Sequence, residues 1–165
     1  MAQIDLKQAT VTIKDGSTNS LEVRIGEGNL TYTEARNMEY NLNRGVLDEV
    51  REGDQIPVAV TFDFVWEYLK GPSSASSAGG TPTIEDALKQ RGGAAGWTSS
   101  DSDTCRPYAV DLVILYVPNC ATGDQEEIIL SDFRWEQLNH DLSAGTIASS
   151  GNCNVTEAVV TRSAQ

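Results

Sequence analysis

The chain carries little positive charge. Lys and Arg number 12 against 24 Asp and Glu over 165 residues, which leaves a net charge of −12. Proteins that hold nucleic acid by its phosphates present clustered cations, so this balance excludes a simple phosphate-binding role; DNA near this chain is repelled or merely passed. Cysteine is scarce, and Cys105, Cys120 and Cys153 form no C-x-x-C pair. That count excludes a dense disulfide framework and lends little support to a structural zinc site. No stretch approaches the run of about 18 apolar residues that a spanning helix requires. The N-terminal MAQIDLKQATVTIK has neither the apolar centre nor the cleavage pattern of a leader, and the chain reads as soluble and made in a cytosol.

Free thiols are the plainest reading of the cysteines. Cys105 and Cys120 flank one expected strand, which holds them too far apart to bridge. Cys120 closes that strand and Cys153 opens the last one, so an antiparallel pairing of the two strands would bring Cys120 and Cys153 together.

Catalytic chemistry is thinly supplied. The single histidine, His140, stands beside Asp141 and near Ser143, but neighbours along a chain do not naturally face one another, and there is no G-x-S-x-G elbow. The glycines match neither a phosphate loop nor a dinucleotide fingerprint, so no cofactor is expected. Asp63 with Glu67, and Asp132 with Glu136, are each spaced four apart, which on a strand puts them on one face. Four residues span about 13 Å, wider than a glycosidase acid–base pair normally uses, and a water-facing sheet surface is the simpler explanation. The stretch Asp15-Gly16-Ser17-Thr18-Asn19-Ser20 has the turn chemistry of a hairpin and lacks the closing Glu of a calcium loop.

What the sequence does have is period-two alternation of aromatic and β-branched residues, the mark of half-buried strands. Strands are expected over residues 10–14, 21–26, 29–35, 58–68, 108–117, 127–137 and 154–162. The stretch VAVTFDFVWEY at 58–68 places Val58, Val60, Phe62, Phe64, Trp66 and Tyr68 on one face. Ala59, Thr61, Asp63, Val65 and Glu67 fall on the other, and this length suggests a wall with two faces. Phe133 and Trp135 fit the core face, leaving Asp132, Arg134 and Glu136 opposite.

One helix is signalled from Thr83 to Arg91 by capping residues, an acidic first turn, a basic last turn and a following Gly92-Gly93. Ile84, Ala87 and Leu88 make a narrow apolar stripe suited to lying across a sheet. The Gly/Ser-rich stretches that flank it, within residues 71–104, read as loops of one domain spanning residues 1–165, with Trp97 as an anchor. Residues 36–55, charged and without evident strand alternation, read as a solvated loop or a protruding arm, in which Val46, Leu47 and Val50 make an apolar spot able to reach a neighbouring copy.

Two segments carry a resemblance: GVLDEVREGDQIPVAVTFDFVWEY at 45–68 and FRWEQLNHDLSAGTIASSGNCNVTEAVV at 133–160. With the order of strands, arm and helix, they resemble tail tube proteins of tailed bacteriophages over most of the chain. The resemblance implies a β-sandwich or β-barrel with one flanking helix and a long arm, assembled as hexameric rings that stack into a hollow tube. Thr61, Asp63, Glu67, Asp132 and Glu136 would line its lumen, where like charge keeps passing DNA from the wall. Arg36, Tyr40, Val46, Leu47, Val50 and Arg51 would form the contact to an adjacent subunit or ring. The implied partners are further copies of the chain, a tape-measure protein in the lumen, and tail terminator and baseplate or tip proteins. A sheath is neither implied nor excluded. The implied setting is the virion, assembled in the bacterial cytoplasm. A competing expectation is a β-sandwich that binds a sugar or protein on an aromatic face, which requires Trp66 or Trp135 exposed on a flat platform. An enzyme using the spaced carboxylates ranks below both.

Overall fold

A computed structural model describes residues 9–25, 28–66, 82–117 and 125–163. Glu67, Tyr68, Cys120 and most of the first Gly/Ser-rich stretch lie outside these residues. In chain order the elements are β1 (Ala9–Lys14), β2 (Ser20–Glu22), β3 (Leu30–Thr33), β4 (Arg36–Asn43) and β5 (Val46–Gln55). They are followed by β6 (Val58–Val65), α1 (Ile84–Lys89), β7 (Val110–Tyr116), β8 (Gln125–Asp141), β9 (Thr146–Cys153) and β10 (Val159–Ser163). Among the described residues the fold is mostly β with one short α-helix, as the alternation and the capping signals predict.

All strands except β4 and β5 belong to one antiparallel sheet, ordered β2-β1-β7-β8-β9-β6-β3, with β10 alongside β8. Val11 and Ile13 of β1 share a core with Val60, Phe62 and Phe64 of β6, although these strands stand far apart in that order. They meet because the sheet folds over on itself. β8 makes the fold: its first half pairs with β7 and β10, its second with β9. Between the halves, Asp132 adopts φ 58° at a register shift, and such a bulge bends and twists its strand. The far ends of the sheet are tied as well. Val23 donates its N–H to Val11 of β1 at 2.8 Å, and Arg24 accepts the N–H of Val65 of β6 at 2.8 Å. The result is a barrel-like sandwich.

β6 alternates as expected, with Val58, Val60, Phe62 and Phe64 buried. Phe62 contacts Phe64 and Phe133, with ring centroids 5.7 and 5.8 Å apart. Its partner β9 presents small residues to the same core, Ser149, Gly151 and Cys153 beside Ile147, which leaves room for the large rings. Gly151 has no choice: a Cβ there would stand 2.1 Å from the carbonyl oxygen of Arg134. α1 starts at a capping box, in which Thr83 Oγ1 accepts the Asp86 N–H and the Asp86 carboxylate accepts the Thr83 N–H. Ile84, Ala87 and Leu88 are buried as the stripe predicts, and Tyr108 donates its hydroxyl to the Ala87 carbonyl at 2.9 Å. Trp97 is buried, an anchor for its loop.

Three expectations are corrected. The stretch 36–55 is not a loop but the two-stranded hairpin β4–β5, a sheet of its own. The last expected strand, 154–162, begins only at Val159 as β10, and β9 (Thr146–Cys153) stands where no strand was expected. The strand expected over 127–137 runs further, as β8 from Gln125 to Asp141.

Candidate functional site: a two-faced sheet and a free arm

Strands β3, β6, β9 and the second half of β8 form a continuous four-stranded unit. Register fixes its faces. Phe62 lies opposite Leu30 and Ser149 on the core side, so Thr61, opposite Thr31 and Ser150, points away from the core. Ala59 shares that outer face with Thr33 and Asn152, and Asp63 shares it with Ala148. On β3, β6 and β9 the outer face is built mainly of short hydroxyl, amide and methyl side chains, while the register of β8 adds Arg134, Gln137, Asn139 and Asp141 to it. Its strand edges are β3 on one side and residues 134–141 of β8 on the other, where no further strand pairs among the described residues.

Of the acids expected together, the structure brings fewer to this face. Thr61 and Asp63 lie on it, and Glu67 is outside the described residues. Asp132 occupies the bend of β8: its N–H donates to Asp111 Oδ1 at 3.0 Å, and its carboxylate accepts the Ser100 hydroxyl at 2.8 Å. Glu136 sits in a second bulge, between Trp135 and Gln137, and is exposed. The two bulges interrupt the alternation on which a single acidic face depended. Arg134 is held by Asp101 at 2.8 Å and by the Pro107 carbonyl at 2.9 Å, so it is not a free cation.

Around the Asp132 bend the electrostatics are strained. Burial raises the Asp111 carboxyl above its usual value and the charge of Asp132 adds to this, while the Asp132 N–H and Lys14 oppose it. Burial, with Asp132 and Asp111 nearby, pushes the Cys153 thiol up to about 12. Cys153 is a buried free thiol whose antiparallel neighbours are Val58 and Phe133. β7, which leads toward Cys120, is not next to β9, because β8 lies between them. The adjacency on which the Cys120–Cys153 pairing depended is absent, and Cys120 itself lies outside the described residues. Cys105 is a free, exposed thiol.

Trp66 and Trp135 stand on the core-side face, yet are 37% and 39% exposed. His140 meets Trp66 edge-on at 5.0 Å and approaches Glu85 at 3.2 Å, while Lys89 lies over Trp135 at 5.4 Å. Glu85 also pairs with Lys89 at 2.7 Å and Arg91 at 3.0 Å. Burial works against its charge, but these hydrogen bonds and cations together hold its carboxyl below the usual range. From Trp135 to His140 the strand advances about 15 Å. The two indoles thus meet different side chains, Trp66 the His140 ring and Trp135 the Lys89 ammonium. Among the described residues no group of three or more His, Cys, Asp or Glu is placed to hold a metal ion.

The arm prolongs the β3–β6 hairpin. Thr33 pairs with Ala59, the ladder is interrupted at Glu34-Ala35 and Ile56-Pro57, and it resumes from Arg36 opposite Gln55. Arg44 and Gly45, at φ 52° and 80°, close it in a two-residue turn of the primed kind. Met38, Tyr40 and Leu42 share one face, with Val50 opposite Tyr40 and Leu47 opposite Leu42. Four of these are large and bare, with Tyr40 62%, Leu42 64%, Leu47 69% and Val50 51% exposed. The other face is polar, and there Glu39 pairs with Arg51 across the strands. Val46 lies opposite Asn43 beside the turn, 68% exposed, and Arg36 begins the ladder at the foot. The sequence signal for this hairpin was present: Asn37, Glu39 and Asn41 alternate strictly with Met38, Tyr40 and Leu42.

No protein-family model and no curated protein matches this chain. Among solved structures it is similar to a chain from the sheath/tube terminator of PVC, an extracellular contractile injection system, in its extended state. There the TM-score is 0.52 at 9% identity, and 98% of each chain is covered. A chain from the baseplate of the anti-feeding prophage is similar with a TM-score of 0.44 at 10% identity, covering 93% of this chain and 92% of that one. The first likeness is one of fold.

Proposed function

We propose that the chain is a structural subunit of a phage-tail-like tube, in which copies stand side by side in hexameric rings and the rings stack around a channel. The observation that carries this reading is the four-stranded unit, greasy on one face and lined on the other, over β3, β6 and β9, mainly by Thr31, Thr33, Ala59, Thr61, Ser150 and Asn152. Short, neutral polar side chains suit a passage wall: they hold water and offer a travelling polymer nothing to grip. Asp63 and the net charge of −12 add repulsion toward phosphate. The edges at β3 and at residues 134–141 of β8 are where neighbouring copies continue the wall, which also removes exposed edges. The fold shared with a chain of a sheath/tube terminator assembly supports this reading. The partners in this reading are further copies of the chain, a tape-measure protein in the channel, and terminator and baseplate or tip proteins at the ends, with DNA only in transit.

The test is negative-stain electron microscopy beside size-exclusion light scattering of the purified chain over a range of concentrations. Hollow filaments are expected. Rings that never stack would assign a ring-capping role instead, and a monomer at every concentration would overturn self-assembly. In filaments, Asp63→Lys is expected to leave the tube intact and to impair particle infectivity.

The exposure of Trp66 and Trp135 is the one observation that favours a ligand-binding module. Their engagement by His140 and Lys89 weighs against a sugar-stacking surface.

A further inference from the structure

A two-stranded ribbon is at best marginally stable in water, and this one carries four large apolar side chains that are more than half exposed among the described residues. On its polar face Glu39 pairs with Arg51, which leaves the apolar face and the tip as the surfaces a partner could match. The tip is a cation: Arg44 is held at positive φ beside Gly45 and has no ion-pair partner among the described residues.

At the foot of the same arm lies the complement. Gln55, Pro57, Asn154, Val155, Thr156 and Glu157 line an open cavity of about 540 Å³. The floor is fixed, because Val58 donates its N–H to the Val155 carbonyl at 3.0 Å and Ala158 donates to Glu34 Oε1 at 3.2 Å. The surroundings are apolar and acidic together: Ile56 is 38% and Val159 53% exposed beside Pro57 and Val155, and Glu157 is exposed. The arm cannot fill its own cavity, since ten residues of extended strand put its tip roughly 30 Å from the foot.

We propose that this cavity receives the arm tip of a second copy of the chain, with Leu42 and Leu47 against Pro57 and Val155 and with Arg44 paired to Glu157. This rests on the tube reading and names the contact within it. The two surfaces differ and sit apart on one molecule, so the contact is heterologous: every copy donates an arm and accepts one, and repetition gives a closed ring or an open stack. A cation presented to an acidic seat on a chain of net charge −12 also provides attraction between like-charged subunits and sets the register of approach.

The test is a charge exchange, read as the concentration at which light scattering detects half assembly. Arg44→Glu and Glu157→Arg alone are each expected to raise that concentration at least about fivefold, and the double variant to bring it back to within about threefold of wild type. Leu42→Asp with Leu47→Asp is expected to abolish assembly. Thermal unfolding of each variant as a monomer guards against misfolding, and all four substitutions are at exposed positions. Wild type that assembles while the double variant is no better than the singles overturns the Arg44–Glu157 contact and leaves the tube reading standing. Wild type that stays monomeric overturns both.

Discussion

The four-stranded wall and the arm are joined end to end, share the β3–β6 hairpin, and have opposite energetics. In the wall, Val58, Val60, Phe62 and Phe64 are all but inaccessible to water; in the arm, Tyr40, Leu42, Leu47 and Val50 are more than half exposed. Both alternate apolar and polar residues with the same period. The difference teaches that alternation specifies a two-faced ribbon and nothing more: whether its apolar face stabilises the monomer or awaits another molecule depends on what the rest of the chain lays over it.

Breaking the wall is expected to have the largest effect on folding. Phe62→Ala removes a ring in contact with both Phe64 and Phe133 and should cost about 3–5 kcal/mol in urea unfolding. Loss of less than about 1 kcal/mol would show that the sandwich is loosely packed. Next comes Gly151→Ala, which drives a methyl group into the Arg134 carbonyl and must open the β8–β9 ladder, at about 1–3 kcal/mol.

A smaller effect is expected at the bend between the two halves of the sheet. The folded value of Asp111 is raised, first by burial, so the protonated acid is favoured by folding. The stability it confers is complete below the ordinary value of 3.8 and is lost as pH rises through the raised folded value. Asp111→Asn keeps an acceptor for the Asp132 N–H and carries no charge. It should therefore stabilise the protein at pH 7, by less than about 1 kcal/mol after solvent screening, and make no difference at pH 3. Destabilisation at pH 7 would show that Lys14 and the Asp132 N–H outweigh burial.

The smallest effect on folding belongs to the arm, and it sharpens the contrast. Leu42→Asp with Leu47→Asp is expected to leave the unfolding midpoint of the monomer within about 0.5 kcal/mol of wild type. A large loss of monomer stability would place the arm within the cooperative fold.

Much of this was legible in the residues. Val58 to Phe64 announced both faces of β6, and Thr83 with Asp86 announced the start of α1, because local alternation and capping act over a few neighbouring residues. The arm's alternation was equally local, and charged neighbours obscured it. The position of Asp132 was not legible: on an unbroken strand it would share a face with Arg134 and Glu136, whereas in the fold it is a left-handed bulge residue bonded to Asp111 and Ser100.

By itself the sequence determined a mostly β chain with a greasy and a polar face, one capped helix, and a net charge hostile to phosphate, all of which follow from residue type and short-range spacing. Tertiary structure alone decided that β8 bends at Asp132 to serve both halves of the sheet and that β9, rather than β7, lies beside β6. It also decided that the hairpin from Arg36 to Gln55 forms a sheet of its own beside a cavity at its foot. Strand partners and bulges are settled by contacts between residues far apart in the chain, and a shift of one residue in register exchanges the two faces of a strand.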